Sequence, residues 1–153
     1  MSQEVFHYAP LLYLPRILRS GYLQPSNAGA TKERPLLWFS TRQDWEPTAT
    51  KAIWHPKEGF KQLTFAQQAE TFGCIRFALP AEDKRLMHWA DACKMAGIPA
   101  ESQAALELLG RRRGADPAHW LAVHEAVMLS EVEIDIWQET HWERTKGRSV
   151  PVP

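Results

Sequence analysis

The chain has few of the features that mark a secreted, membrane-spanning or strongly charged protein. Its two cysteines, Cys74 and Cys93, form no C-x-x-C pair, so we expect reduced thiols and no disulfide framework. Its 18 basic residues balance 18 acidic ones, so no net field draws the chain to nucleic acid or anionic lipid. No apolar run approaches the ~18 residues of a membrane span, and the N-terminus has no apolar run of signal-peptide length. We therefore expect a cytoplasmic protein without a membrane partner.

Several motifs that carry well-known chemistry are also missing. The chain has no G-x-G-x-x-G and no G-x-x-x-x-G-K-[ST], so neither a Rossmann nor a P-loop nucleotide site is predicted. His124 and Glu125 begin like the zinc-protease motif H-E-x-x-H, but the fifth position is Met128, which cannot supply the second imidazole ligand. The remaining histidines are scattered, and we predict no metal site.

The length and the spread of proline and glycine predict one α+β domain. A chain of 153 residues matches a single hydrophobic core, and no stretch reads as a linker. In the first part of the chain, the pattern of apolar residues predicts a strand over 4–8, a helix over 11–18 ended by Gly21, a surface loop over 24–35 and a buried strand over 36–41. A long irregular segment over 42–61 follows, with a helical turn near 47–53. Beyond it, the pattern predicts a helix over 64–71, a strand over 73–79, helices over 84–96 and 102–109, and strands over 127–129 and 132–136. We place the domain at 1–143 and a loose C-terminal tail at 144–153.

Three polar positions are candidates for a site. His7 lies in the first predicted strand, where its ring either faces a cleft or is a hydrogen-bonded structural histidine. Ser40 and Thr41 place two hydroxyls at the end of an aromatic strand, where they either form a turn or serve a ligand. Glu125 stands at the entry to an apolar strand, a costly place for a carboxylate unless it is exposed or paired.

Two further groups have both a structural and a functional interpretation. The arginines at 111–113, between Gly110 and Gly114, either contact phosphate groups or complement the dipole of the preceding helix. Most of the seven tryptophans should pack in the core. Trp45 is the one that could serve as a platform for a base or another ring.

The order of these segments resembles the ADP-ribosyltransferase fold, especially its DarT-like and other His-containing bacterial branches. The opening residues 6–8 (FHY), followed by 17–23 (ILRSGYL), are similar to a first-strand histidine followed by a helix that reads I-L-x-x-G-x-L. The segment 38–41 (WFST) is similar to the second-strand motif that supports the nicotinamide ribose. The segment 124–129 (HEAVML) looks like the late strand whose entry carries the catalytic glutamate.

This resemblance implies two small packed antiparallel sheets with flanking helices, and NAD bound as a substrate in a cleft between them. His7 would bond a ribose hydroxyl on the adenosine side, and Ser40 with Thr41 would position the nicotinamide half. Glu125 would bond the 2′-hydroxyl of the nicotinamide ribose and stabilise an oxocarbenium-like transition state. The residues that would offer an aromatic face are Tyr8, Trp38 and Trp45.

The implied activity is NAD-dependent ADP-ribosyl transfer, or NAD glycohydrolysis, with an unidentified protein or nucleic-acid acceptor. Val123 stands where the arginine-modifying branch has a glutamate, so transfer to arginine is not implied. A non-catalytic protein or nucleic-acid interaction module on the same fold is the alternative, binding through the Trp-rich loop and the arginine cluster. A related NAD-using RNA 2′-phosphotransferase would need converging basic residues, for which Arg16, Arg19 and Arg42 are candidates.

Overall fold

The computed structural model describes residues 3–26 and 32–145. Within these residues the chain forms eleven strands and four α-helices. The strands are β1 (Glu4–Pro10), β2 (Tyr22–Leu23), β3 (Leu37–Ser40), β4 (Ala52–His55), β5 (Gly59–Gln62), β6 (Cys74–Pro80), β7 (Met87–His88), β8 (Trp120–Val123), β9 (Val127–Met128), β10 (Glu133–Trp137) and β11 (Trp142–Arg144). The helices are α1 (Leu14–Ser20), α2 (Phe65–Phe72), α3 (Trp89–Ala96) and α4 (Ala100–Arg112).

Antiparallel pairing organises these strands into one large sheet and two small ones. The large sheet has seven strands in the order β11-β10-β6-β1-β3-β8-β7, while β2 pairs with β9 and β4 pairs with β5. The predicted α+β class is confirmed. Among the described residues, no helix combines the length and the apolar character needed to cross a bilayer.

Strand β1 is paired very differently along its two edges. With β6 it forms seven consecutive pairs, from Glu4 opposite Pro80 to Pro10 opposite Cys74. With β3 the register holds one pair, Phe6 opposite Ser40. The sheet is therefore two halves, β11-β10-β6-β1 and β3-β8-β7, joined at one point. We call the place where β1 and β3 separate the split. This arrangement differs from the expected two small packed sheets, because the two halves stay connected and two hairpin-sized sheets are added.

The main core lies on one face of the large sheet. Alternation along the strands places Val5, Phe39, Phe77 and Leu121 on this face, and all four are buried. Residues of α1, β2 and β9 complete the same cluster, so these elements cover that face. The opposite face carries Phe6 and Tyr8 of β1, which belong to a second cluster.

The first helix ends as its sequence predicts. Three apolar positions at helical spacing define it, and Gly21 adopts the left-handed conformation with φ of 76°. The backbone N–H of Gly21 donates to the carbonyl of Ile17 at 2.9 Å, which closes the last turn. A short 3-10 turn, Leu11–Tyr13, precedes the helix.

The segment 42–61 is more regular than predicted. A 3-10 turn, Pro47–Ala49, lies within the expected helical turn, and strands β4 and β5 follow as a hairpin. Every residue of β4 is exposed. Because neither face of the hairpin is buried, its sequence lacks the alternation of apolar and polar residues by which a strand is predicted.

The predicted helix over 84–96 begins late, at Trp89. The side chain of Arg85 bonds the carboxylate of Asp83 at 2.9 Å and that of Glu131 at 3.1 Å, which fixes the preceding residues in a turn. Strand β7 then pairs with β8 before the helix starts. At the C-terminus, Arg144 closes β11 and so belongs to the sheet, while 146–153 of the predicted tail lies outside the described residues.

Both cysteines are buried free thiols. Cys74 lies on β6 in the four-stranded half, and Cys93 lies on α3, which packs with Trp120 of the three-stranded half. Burial raises the pKa of each thiol to about 11. Neither is therefore a nucleophile at neutral pH, because the reactive species is the thiolate.

Candidate functional site

A cavity of about 370 Å³ opens at the split. This volume falls within the range of small-molecule sites, roughly 300 to 1,000 Å³. The sheet contributes Phe6, His7, Tyr8, Trp38, Phe39 and Ser40 to its lining. The remaining walls come from the segment after β3, from the start of α3 and of β8, and from α4.

His7 connects the two strands where their backbone pairing stops. Its Nδ1 lies 2.7 Å from the carbonyl oxygen of Trp38 on β3. A carbonyl can only accept a hydrogen bond, so Nδ1 carries the proton, and Nε2 holds the lone pair in the neutral ring. Burial lowers the pKa of His7 below its usual 6.5; the bond to Trp38 opposes this shift, and the charge of Lys51 adds to it. The ring is therefore neutral at pH 7, with Nε2 as an acceptor.

Ser40 and Glu46 are polar residues of the lining, and both are buried. The Ser40 hydroxyl donates to Oε1 of Glu46 at 2.9 Å. Oε2 of Glu46 accepts from the backbone N–H of Thr48 at 3.0 Å and from its hydroxyl at 2.7 Å. A carboxylate offers about four lone-pair positions. Three donors occupy three of them, which leaves one acceptor position for a ligand.

Aromatic side chains form most of the apolar lining. The rings of Trp38 and Trp89 lie 5.0 Å apart, and those of Trp89 and Trp120 lie 5.1 Å apart in an edge-to-face arrangement. Phe6 and Tyr8 of β1 face them across the split. Flat, apolar walls of this kind suit a planar ring.

Two cations also line the cavity. Lys51 directly precedes β4, and Arg113 follows the last residue of α4. Both residues are exposed, and the Lys51 ammonium lies 5.7 Å from the centre of the Tyr13 ring. Lysine and arginine side chains are the usual partners of phosphate groups.

Two residues predicted to contact a ligand lie elsewhere. Trp45 is buried against Phe65, with ring centroids 4.7 Å apart, and its indole N–H donates to Thr50 at 3.0 Å. It is a packing residue rather than an exposed ring platform. Thr41 does not line the cavity; its backbone N–H donates to His119 across the strands.

Glu125 is also remote from the cavity. Its side chain is 53% exposed, and its nearest cation is Arg85, with Oε1 and Nε 3.9 Å apart. Trp120 reaches the cavity because it pairs with Ser40, but Glu125 is five residues further along the chain, on the order of 15 Å at strand spacing. The structure therefore does not bring Glu125 together with His7 and Ser40. The carboxylate at the cavity is that of Glu46.

Sequence reasoning missed Glu46 although a signal for it exists. A glutamate directly before Pro47 matches the acidic cap that precedes a proline at the first position of a helix. That signal predicts a cap, and the Glu46 side chain does cap the 3-10 turn by accepting from Thr48. Its second role, contact with Ser40, depends on a turn that folds back over the sheet.

Four of the seven positions singled out in the sequence line the cavity, and three do not. Those that line it are His7, Tyr8, Trp38 and Ser40, and those that do not are Thr41, Trp45 and Glu125. Arg16, Arg19 and Arg42 do not line it either, and Nε of Arg42 is engaged with the carbonyl of Trp45 at 2.7 Å. The chain matches no family model, no curated protein and no solved structure.

Proposed function

We propose that the cavity binds NAD and that the chain cleaves the bond between nicotinamide and ribose, passing ADP-ribose to a macromolecular acceptor or to water. The observation that carries the proposal is that His7, Ser40 and Glu46 surround one cavity at the split. His7 and Ser40 belong to two of the three segments that resemble the ADP-ribosyltransferases.

The reaction requires a fixed negative charge beside the ribose. When the bond between C1′ and the nicotinamide nitrogen breaks, its electron pair returns to the nicotinamide ring, which leaves as a neutral molecule. The ribose carbon becomes oxocarbenium-like and takes an electron pair from the acceptor or from water, which then loses one proton. A preorganised carboxylate lowers the free energy of this transition state. Glu46 supplies that charge, and its remaining acceptor position fits a ribose hydroxyl.

The other lining residues supply binding. Neutral His7 offers Nε2 to a second ribose hydroxyl, which agrees with the role that the resemblance gives to this residue. Lys51 and Arg113 pair with the pyrophosphate, and the tryptophans hold a ring. Within this arrangement Glu46 takes the place that the sequence assigned to Glu125.

The test compares two glutamates that differ in position. NAD is incubated with the wild-type chain and with the Glu46→Gln and Glu125→Gln variants, and nicotinamide release is measured with and without cell lysate. We expect Glu46→Gln to reduce release about 100-fold or more, in line with the loss of one electrostatic contact in a transition state. Glu125→Gln should match the wild type, because its side chain is exposed and remote from the cavity.

Two results would argue against this assignment. If Glu125→Gln abolishes release and Glu46→Gln does not, the carboxylate is wrongly assigned. If the wild-type chain releases no nicotinamide and NAD does not raise its melting temperature, the function itself is rejected. Circular dichroism of each variant shows that any loss of release occurs in a folded protein.

A non-catalytic interaction module is the second candidate function, and the β4–β5 hairpin favours it. Trp54 and Phe60 pair across this hairpin and are 64% and 77% exposed. Lys57 and Lys61 stand beside them and are also exposed. Because Trp45 is buried, the hairpin is the part of the Trp-rich segment that a partner reaches. Loss of partner binding in Trp54→Ala, with no effect of Glu46→Gln on any activity, would favour this function.

A further inference from the structure

Helix α4 borders the cavity but is scarcely packed against the other described elements. Of its thirteen residues, Gly110 is the one that is buried. Leu106 and Leu109 are 43% and 46% exposed, although both line the cavity. An apolar helix edge with this exposure can pack against a ligand.

The residues of this edge form one stripe. Leu106, Leu109, Gly110 and Arg113 are spaced at i, i+3, i+4 and i+7, which places them on one face of a helix, and all four line the cavity. Leu108 is 52% exposed but lies on another face and does not line the cavity. Helix α4 therefore carries an apolar stripe at the cavity and, away from the cavity, an exposed leucine that can serve as a control position.

The stripe lies directly against the tryptophans. A Cβ added at Gly110 would lie 2.5 Å and 2.6 Å from two ring carbons of Trp120, so the backbone of α4 rests on the edge of that ring. This contact fixes the separation between the helix and the tryptophans. Leu106 and Leu109, on the same face of α4, line the cavity together with Trp89 and Trp120.

The tryptophan wall of the cavity is apolar. Trp89 and Trp120 are each more than nine-tenths buried, and their indole nitrogens are buried atoms without a hydrogen-bond partner in the described part of the chain. A ligand in the cavity therefore meets the carbon surface of these indoles rather than their N–H groups. A flat ring suits such a wall better than a flexible polar group.

We infer that the part of the cavity bordered by the stripe of α4 and by Trp89 and Trp120 is a subsite for a planar heterocycle, with Arg113 at its rim for an attached phosphate. Leucine and indole side chains form its apolar walls. The assignment of this ring to NAD rests on the proposed function. Nicotinamide and adenine share the required chemistry, so the two halves of the dinucleotide are tested separately.

Tryptophan fluorescence tests the subsite, because the proposed ring would lie against two indoles. Nicotinamide and adenosine monophosphate are titrated separately into the wild-type chain and into Leu106→Ser, Leu109→Ser and the control Leu108→Ser. We expect at least one probe to quench the fluorescence, and each stripe variant to weaken that probe about fivefold, the loss that follows from removing a half-buried leucine contact. Leu108→Ser should bind like the wild type.

Arginine variants then identify the half of NAD that binds. If the adenine half occupies the subsite, Arg113→Gln weakens adenosine monophosphate and Arg112→Gln, away from the lining, does not. If nicotinamide occupies it, only nicotinamide is sensitive to the stripe variants. The inference is overturned if neither probe quenches, or if the three leucine variants bind equally well.

Failure of the subsite and failure of the proposed function give different results. If the subsite is wrong and the function right, Glu46→Gln loses nicotinamide release while the stripe variants bind and cleave NAD like the wild type. If the function is wrong and the subsite right, a heterocycle still binds with the leucine pattern above, but NAD is not cleaved.

Discussion

The two edges of strand β1 show how one strand serves both stability and a site. Along β6 the strand is hydrogen-bonded over its whole length, and the ion pair between Arg76 and Asp135, 2.7 Å apart, extends this contact to β10. Along β3 backbone pairing holds at Phe6 and Ser40, and the side chain of His7 then bonds the backbone of β3. The cavity lies where side chains replace the backbone ladder. Backbone groups that leave a ladder need other partners, and at the split the chain supplies them with polar side chains.

The largest expected effect concerns the edge of β1 that pairs with β6, which we call the closed edge. Phe77 is fully buried opposite His7 on β6, so Phe77→Ala should lower the free energy of unfolding by ~3–5 kcal/mol through lost burial and a new cavity. Urea unfolding followed by circular dichroism measures this loss. Phe60→Ala, on the exposed hairpin, is the control and should change stability by less than ~0.5 kcal/mol. Equal losses in the two variants would show that the closed edge is not the stable part of the fold.

A smaller effect is expected at the split. Ser40→Ala removes the hydroxyl that donates to Glu46 and that accepts from the N–H of Arg42 at 3.2 Å. The buried Glu46 carboxylate and the half-buried Arg42 N–H each lose a partner, so the free energy of unfolding should fall by ~1–3 kcal/mol. Thr41→Ala is the neighbouring control, since Thr41 is bonded through its backbone N–H rather than its hydroxyl. A negligible change in Ser40→Ala would mean that the split does not depend on its side-chain contacts.

The smallest effect is a pH dependence at the same place. The folded protein holds His7 neutral because burial lowers its pKa, whereas the unfolded chain takes up a proton near pH 6.5. The unfolded state therefore binds more protons below pH 6.5, and stability should fall there with a slope of at most ~1.4 kcal/mol per pH unit. Unfolding measured between pH 5 and pH 8 should show this slope in the wild type and lose it in His7→Gln. His88→Gln, at an exposed position, should retain it; the same slope in all three proteins would assign it to another group.

The fold was predictable from the sequence where the burial of one face of an element produces a regular spacing of apolar residues. The strand at 4–8, the helix ended by Gly21 and the strand at 73–79 all appear within a few residues of their predicted bounds, because each buries one face. The β4–β5 hairpin was missed for the opposite reason, since its residues are exposed on both faces. Local pattern also says nothing about which strands separate, so the split could not be predicted.

The site was predictable only in part, for a related reason. His7 and Ser40 lie in two segments that resemble the ADP-ribosyltransferases, and the structure places both at one cavity. Glu125 and Glu46 look alike in sequence, as a glutamate at the boundary of an element. Their difference arises from the turn after Ser40, which brings Glu46 within 2.9 Å of that hydroxyl, whereas the end of β8 carries Glu125 away from it. The position that this turn takes relative to the sheet produces no regular spacing of residues in the sequence.

The two buried thiols allow the opening of each half of the sheet to be measured separately. A maleimide reacts with thiolates that it reaches, and both cysteines are buried with a pKa of about 11, so labelling proceeds only through molecules that have opened. The labelling rate of Cys74 reports the opening of the four-stranded half, and that of Cys93 reports the opening of the three-stranded half. With no engineered probe, the ratio of the two labelling rates reports whether the halves come apart together or one at a time.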